Sequence, residues 1–421
     1  MKVFKEFIFE KFDFDKIKLK ARFFYSFDNL EFFEEIIDFN NSEFDLIENI
    51  DEKIINNILF HLHIALWISY YKLFPTKNLV IKSWFLDETQ IIFWHKFYLN
   101  WLWEFFIKND FDFENILKFT NYFKNNNLEN IKINNLRDSN LLMWGGWKDS
   151  IVSSILLDQE WNNFDTFVFW KIDRIKQNTL KILWKKTMLV RRELSKNLFK
   201  LNKQWYYNWH VPITWIIAFV SLVSAYLYDY KNIVLSNEKS ADEWNTVFKW
   251  LKINHQYSKS SEFENDFRNY VKSNIWDINY YSKLRNIFEL EIAKIFSKKA
   301  QKYFKHFSSC NNNFKIIWEK QKNNWCLECE KCAFVYLILS PNIKEKEIVE
   351  MFWENLLDKK TLENTYKQLL WFSINKPFEC VWTYDESKIS FEKTLKIYKN
   401  KIKSWIRKKL PYILSVFEKE L

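Results

Sequence analysis

Short apolar runs alternate with longer apolar stretches through the middle of the chain. The short runs Leu141–Met143, Phe167–Phe169 and Ile233–Leu235 have the length and bulky side chains of buried strands. The longer stretches Ile151–Leu157 and Ile216–Tyr228 indicate helices. Strands that alternate with helices are typical of a parallel α/β sheet, which is the fold class that we predict for this region.

The sequence has a different character on either side of this pattern. The first 135 residues mix charged and aromatic stretches, with a helical pattern over Ile54–Leu73, and predict a mixed α+β domain. Asn-rich segments just before residue 136 are typical of surface loops. After about residue 346 the chain is charged and helix-rich. We therefore predict domains at 1–135 and 136–345 and a helical C-terminal region at 346–421.

The clearest local motif is MWGGWKDS at Met143–Ser150, between a predicted strand and a predicted helix. Glycine at such a turn lets backbone N–H groups face a phosphate, and the helix N-terminus adds partial positive charge. The motif lacks the Gly-x4-Gly-Lys-Ser/Thr spacing of a Walker A loop. The predicted phosphate-binding residues are Gly145, Gly146, Trp147, Lys148, Asp149 and Ser150.

The composition changes how this loop is interpreted, because the 421 residues include 22 Trp and 2 Gly. Average usage predicts roughly 29 glycines, and Gly and Trp together come close to that number. We hypothesise that most tryptophans are glycines encoded by UGA, in an AT-rich genome that reads this codon as glycine. Turns need residues that tolerate positive φ, which Trp does poorly. The alternative is a genuinely Trp-rich protein.

With glycine at the Trp positions, the loop reads MGGGGKDS and resembles the PP-loop of enzymes that split ATP into AMP and pyrophosphate. The resemblance implies a PP-loop fold for the parallel sheet. It also implies that Ser150 hydrogen-bonds a phosphate and that Asp149 binds Mg²⁺ or orients the loop. As written, Trp147 would place its indole where the pyrophosphate must lie, so we expect the literal chain to bind ATP poorly.

Five longer segments are similar to one family. They read NWLWEF at 100–105, NWHVPIT at 208–214, SNEKSA at 236–241, NHQYSKS at 254–260 and KPFECVWT at 376–383. They resemble stretches of the UDP-N-acetyl-α-D-muramoyl-L-alanyl-L-glutamate epimerase family, and the resemblance spans most of the chain. Its systematic departure is Trp where the family has Gly.

The resemblance implies an ATP- and Mg²⁺-dependent isomerase of peptidoglycan precursor synthesis, which converts the terminal L-Glu of UDP-MurNAc-L-Ala-L-Glu to D-Glu and releases AMP and pyrophosphate. Adenylation would remove the carboxylate charge beside Cα, so that its proton could leave. Exchange of that proton needs groups that titrate near neutral pH on opposite faces. The candidates are His210, His255, Glu238, Lys259 and Tyr257. The residues alone do not select a pair, and a structural role stays open for each.

Four of the five cysteines fall in one short region, at Cys310, Cys326, Cys329 and Cys332. In a reducing cytosol this spacing indicates a metal site rather than disulfides. It resembles the zinc site of 7-cyano-7-deazaguanine synthase, and we predict structural zinc. Unliganded thiols and an iron–sulfur cluster are the alternatives. Cys380 stands apart and is interpreted as a small buried hydrophobe, with a proton shuttle as the alternative.

The net charge of +10 suits an anionic partner such as a nucleotide. Charged residues interrupt every apolar stretch near the N-terminus, so no signal peptide is visible. The longest apolar run, Val211–Tyr228, is marginal for a span of about 20 residues and is interpreted as a buried helix. We expect a cytoplasmic enzyme without membrane insertion or a nucleic-acid partner, and its oligomeric state stays open.

Two other functions remain possible. A PP-loop ATPase that modifies tRNA or a nucleobase would suit the basic charge and the cysteines, but it gives no role to the segments at 208–214 and 376–383. A nucleotide-binding protein without catalysis would fit if the tryptophans are genuine.

Overall fold

The computed structural model describes residues 4–418, apart from 110, 112–116, 124–132, 134–135, 205, 209–210, 245, 249–250, 255, 315–322, 371, 373–383 and 405. Its twelve strands are β1 Glu6–Asp15, β2 Lys20–Phe27, β3 Glu31–Asp38, β4 Asn78–Ile81, β5 Lys118–Asn121, β6 Asn140–Met143, β7 Phe164–Phe169, β8 Thr187–Glu193, β9 Asn232–Leu235, β10 Thr246–Phe248, β11 Leu251–Ile253 and β12 Asn279–Ser282. Its fourteen α-helices are α1 Glu52–Leu66, α2 Ile68–Tyr71, α3 Glu88–Lys108, α4 Lys148–Gln159, α5 Arg174–Leu183, α6 Lys196–Asn202, α7 Ile213–Leu227, α8 Ser261–Asn274, α9 Glu289–Lys299, α10 Glu330–Leu339, α11 Glu345–Phe352, α12 Glu363–Leu369, α13 Tyr384–Lys403 and α14 Tyr412–Phe417.

Ten of these strands form one mixed sheet in the order β12-β9-β6-β7-β8-β3-β2-β1-β4-β5. The first five run parallel to one another, as the alternating sequence pattern predicted. Strands β1, β2 and β3 form an antiparallel meander, and β3 joins the parallel strands by antiparallel pairing with β8. The protein is therefore a mixed α/β structure with a large central sheet.

The strands and helices predicted in the middle of the chain are present. The three short apolar runs lie in β6, β7 and β9, and the two longer stretches lie in α4 and α7. Almost all of α7 is buried, as expected for an internal helix. No described helix combines the length and apolar character needed to cross a membrane.

Strands from either side of the predicted boundary at residue 136 belong to one sheet, and the two sets meet where β3 pairs with β8. A buried ion pair strengthens the junction, since Arg192 Nε on β8 donates to Glu35 Oε1 on β3 at 2.6 Å. The same guanidinium donates to Ser69 Oγ at 2.7 Å. N-terminal and middle residues therefore share one sheet, and the limits of the three domains stay a prediction.

Two hydrophobic cores pack against the sheet. One joins the N-terminal strands to α1, α3, α7 and α8. The other joins α4, α9 and α10 to the C-terminal helices α11–α14. The C-terminal region is helical, as predicted, and its packing on α9 and α10 holds it beside the parallel half of the sheet.

Candidate phosphate-binding site

Strand β6 lies at a switch point in the topology of the parallel strands. From β6 the chain continues to β7 and β8 on one side, whereas β9 and β12 lie on the other. In open α/β sheets, ligands bind outside the carboxyl ends of the strands at such a point, where successive connections diverge. The Met143–Ser150 motif leaves the sheet at this position.

The loop after β6 has the expected strand–loop–helix order. Trp144 N–H donates to Phe167 O at 2.8 Å, which extends the pairing of β6 with β7. Gly146 has φ +74°, a left-handed conformation that favours glycine. Trp147 is the N-cap of α4, and its side chain accepts no capping hydrogen bond. The first N–H groups of α4 therefore lack a side-chain acceptor at the cap and can face an anion.

The indole of Trp147 lies directly on this loop. A Cβ atom on Gly145 would lie 3.4 Å from Trp147 Cδ1. The ammonium groups of two lysines approach the same ring, with Lys259 Nζ 5.9 Å and Lys331 Nζ 5.7 Å from its centroid. The side chain thus fills the space that the loop and two cations surround.

Lys148 points into the protein rather than toward solvent. Its side chain is 2% exposed, donates to Asp149 and lies 2.5 Å from Glu289 Oε2 at the start of α9. Ser150 Oγ donates to the carbonyl of Trp147 at 3.0 Å. The predicted phosphate contacts of Lys148 and Ser150 and the predicted Mg²⁺ contact of Asp149 stay predictions.

Burial and charge shift the titration of this cluster. Burial raises the pKa of Glu289 to about 8, against the opposing effect of Lys148. Burial alone would lower the pKa of Lys148, but the charges of Asp149 and Glu289 raise it above its ordinary value. The charge of Glu238 raises both pKa values as well, while Asp149 and Glu289 are the two carboxylates that pair with the buried ammonium group. Carboxylate oxygens are the ligands that Mg²⁺ prefers, but among the described residues these three carboxylates do not converge as a metal-ligand set, so Mg²⁺ binding by Asp149 stays a prediction.

Arg285 joins the segments that carry Glu238 and Lys259. It follows β12, and its guanidinium donates to Glu238 O at 3.3 Å and to Lys259 O at 2.9 Å. The carboxylate of Glu264 on α8 accepts from it at 2.9 Å. One arginine therefore fixes two of the family-like segments relative to the carboxyl ends of the strands.

Tyr257, His210 and His255 are the other three residues that the sequence predicted as acid/base groups. Tyr257 is buried, and its hydroxyl donates to Asp266 Oδ2 at 2.9 Å. Burial, and then the charge of Asp266, raises the pKa of Tyr257, which opposes its use as a base near neutral pH. His210 and His255 lie outside the described residues, as does the segment at 376–383 with Cys380. Their roles stay predictions.

Two buried histidines on α1, which belong to no motif, make hydrogen bonds inside the protein. His61 Nδ1 lies 2.8 Å from Tyr270 Oη, and His63 Nδ1 lies 3.1 Å from Ser83 Oγ. Burial lowers the pKa of each to about 3, so both stay neutral at physiological pH.

The four clustered cysteines converge in space. Their Sγ atoms all lie within 4.8 Å of one another, and the separations include 3.9 Å for Cys310 and Cys329, 3.7 Å for Cys326 and Cys332, and 3.5 Å for Cys329 and Cys332. Tetrahedral zinc with Zn–S bonds of about 2.3 Å needs sulfur atoms about 3.8 Å apart. The thiols are free, and their geometry fits a four-coordinate zinc ion.

Sequence reasoning missed three charged residues of the site: Glu289, Arg285 and Lys331. None of them belongs to a motif, and Glu289 lies 141 positions from its partner Lys148. The one available signal for Lys331 was its position beside Cys332. Only the fold brings these side chains to the loop.

Comparisons with known proteins cover nearly the whole chain. The family model described as MurL N-terminal domain matches residues 1–283, and the one described as MurL C-terminal domain matches residues 306–411. A protein of Xanthomonas oryzae pv. oryzae named UDP-N-acetyl-alpha-D-muramoyl-L-alanyl-L-glutamate epimerase is 34% identical over 332 residues, which are 78% of this chain and 72% of the relative. Relatives with the same name are 34% identical over 48% of this chain and 45% of the relative in Micromonospora sp., and 32% identical over 58% and 53% in Salinispora tropica.

Proposed function

This chain belongs to the MurL family, and we propose that it epimerises the terminal L-Glu of UDP-MurNAc-L-Ala-L-Glu to D-Glu for peptidoglycan synthesis. The observation that carries the proposal is the 34% identity over 332 residues to a relative named as this epimerase. Such a reaction is an isomerisation on a nucleotide-linked peptide, and we propose that it occurs in the cytoplasm.

We propose that ATP activates the substrate at the loop after β6. The loop supplies backbone N–H groups and a helix N-terminus at the switch point of the sheet, which suits a triphosphate. Transfer of AMP to the glutamate carboxylate releases pyrophosphate and removes the charge next to Cα. Bound Mg²⁺ would neutralise phosphate charge, and Asp149 is the carboxylate that we propose as its ligand.

The inversion itself requires removal and return of one proton at Cα. A base takes the proton, the electron pair delocalises into the activated carbonyl group, and an acid returns a proton to the opposite face. Water then cleaves the acyl phosphate bond and releases AMP. Glu238 and Lys259 are the described candidates for the proton transfers, because both lie in the segments that Arg285 joins near the loop.

We also propose that Trp147 and several other tryptophans stand at glycine positions. Of ten described non-glycine residues with positive φ, four are Trp: Trp161, Trp170, Trp184 and Trp353. Trp161, Trp184 and Trp353 follow the ends of α4, α5 and α11, where glycine is the preferred left-handed residue. Their side chains are 94%, 89% and 53% exposed, so packing gives no reason for an indole there.

Some tryptophans fit their surroundings better, which supports glycine at selected positions rather than at all of them. The indole N–H of Trp94 donates to Tyr270 Oη at 2.9 Å, and that of Trp215 donates to Ala65 O at 3.0 Å. By contrast, the buried indole N–H groups of Trp276 and Trp325 have no acceptor among the described residues.

The function can be tested with a glycine-restored chain that carries Gly at Trp147, Trp161, Trp170, Trp184 and Trp353. In D₂O with ATP, Mg²⁺ and UDP-MurNAc-L-Ala-L-Glu, we expect deuterium at the glutamate Cα, a D-Glu product and one AMP per activated substrate. Mass spectrometry and chiral analysis of the glutamate measure the exchange. The reaction without ATP is the control and should show no exchange. ATP consumption that depends on added tRNA, without exchange at Cα, would contradict the proposal.

A further inference from the structure

The segment that carries the cysteine cluster contacts the phosphate loop, Met143–Ser150, at two points, through Ser308 and through Lys331. Ser308 N–H donates to Gly146 O at 3.4 Å, and Ser308 Oγ accepts from Cys310 N–H at 3.1 Å. At the other end of the segment, Cys329 is the N-cap of α10, and Lys331 is the second residue of that helix. The four thiols therefore hold together a small unit, from Ser308 to the start of α10, and a backbone hydrogen bond attaches this unit to the loop.

Lys331 is a buried cation within this unit. It is 6% exposed, and within the described residues its ammonium group has no carboxylate or hydrogen-bond partner. Its recorded contacts are the rings of Trp147, at 5.7 Å, and of Phe334, at 5.8 Å. Most of the Lys331 side chain is removed from water, so an anion beside its ammonium group would stabilise it.

The space under Lys331 changes if position 147 is glycine. Without the indole, Lys331 and Lys259, whose ammonium groups both approach its ring, would border the space that it occupies beside the N-terminus of α4. Two ammonium groups, backbone N–H donors and a positive helix end are a set that suits a polyphosphate. Lys331 would then gain an anionic partner, which it does not have among the described residues.

We propose that Lys331 is a phosphate-binding residue that the cysteine cluster presents to the loop, so that the cluster forms one wall of the nucleotide site. The inference deepens the proposed function and rests on its phosphate loop. It assigns the cluster a second role besides folding, because the position of Lys331 depends on the fixed geometry of Cys329 and Cys332 on either side of it.

The test uses the full glycine-restored chain with Lys331→Met, Lys331→Arg or Lys11→Met added. Lys11 also lies over an aromatic ring, 5.1 Å from the centroid of Phe24, but on β1 in the N-terminal meander. Calorimetry would measure Kd for ATP, inorganic pyrophosphate and adenosine, and elemental analysis would measure zinc. We expect Lys331→Met to raise Kd for ATP and pyrophosphate about tenfold or more. Lys331→Arg keeps the charge and should lose less affinity than Lys331→Met. Lys11→Met should bind like the parent, and adenosine affinity and zinc content should not change.

Unchanged pyrophosphate affinity in Lys331→Met would overturn the inference, as would an equal loss of adenosine affinity, which would indicate general disruption. If the glycine-restored parent binds neither ATP nor pyrophosphate, the inference and the proposed phosphate loop fail together. If the parent and variants bind as expected but no exchange occurs at the glutamate Cα, the epimerase proposal fails and the role of Lys331 stands.

Discussion

Replacement of Trp147 by glycine is expected to lower Kd for ATP by roughly thirtyfold or more. The reason is that ATP must displace the packed indole of Trp147, which costs about 2 kcal/mol of binding free energy or more. The indole lies against Gly145 and between two lysine ammonium groups, in the space that a phosphate would need. Isothermal titration of ATP into the literal chain and into Trp147→Gly measures the difference directly.

Trp161→Gly is the matched control for this change. Trp161 follows the opposite end of α4, which is about 18 Å long at twelve residues. Its glycine form should leave ATP affinity unchanged, while relief of the left-handed backbone raises the free energy of unfolding by about 1 kcal/mol. Equal and strong ATP binding by the literal chain and Trp147→Gly would refute the steric argument.

Loss of the metal is expected to have the largest effect on stability. Protein purified under reducing conditions should contain one zinc per chain, and its removal should lower the free energy of unfolding by about 4 kcal/mol when free zinc exceeds Kd a thousandfold. The reason is that the four thiolates join the segment of Cys310 to the start of α10 within the second hydrophobic core. Elemental analysis and thermal unfolding with and without chelator measure both quantities.

Substitution of single cysteines separates the cluster from general thiol effects. Cys329→Ser should lose stoichiometric zinc and its sensitivity to chelator, because a tetrahedral site with three thiolates is incomplete. The Cys380→Ser variant lacks the fifth cysteine and should still bind one zinc ion per chain. A parent protein that is purified without zinc, or that unfolds at the same temperature with and without chelator, would contradict a structural zinc site.

Local sequence patterns predicted the parallel half of the fold well. The strand–loop–helix unit of β6 and α4 depends on neighbouring residues, so periodicity and turn chemistry reveal it. The pairing of β3 with β8 joins residues more than 150 positions apart and has no local signature. Pattern analysis therefore could not show that strands from either side of residue 136 share one sheet, and the boundary there stays a prediction.

Residues of the candidate site that belong to a sequence motif were predicted, and residues outside the motifs were not. Spacing alone identified the four cysteines, because metal ligands must recur at short intervals around one ion. Glu289 and Arg285 act through contacts with Lys148, Glu238 and Lys259 that only the tertiary fold creates. The composition led to the hypothesis that glycine belongs at many Trp positions, and four of the ten described non-glycine residues with positive φ are Trp. The recoding itself stays a prediction.

The central claim is that the native loop after β6 is glycine-rich and bare enough to hold a phosphate. Trypsin cleavage after Arg137 and Lys148 yields one peptide, Asp138–Lys148, which contains positions 144 and 147. Tandem mass spectrometry of this peptide from the native organism should read Gly at position 147. Trp at position 147 in the native protein would contradict the account.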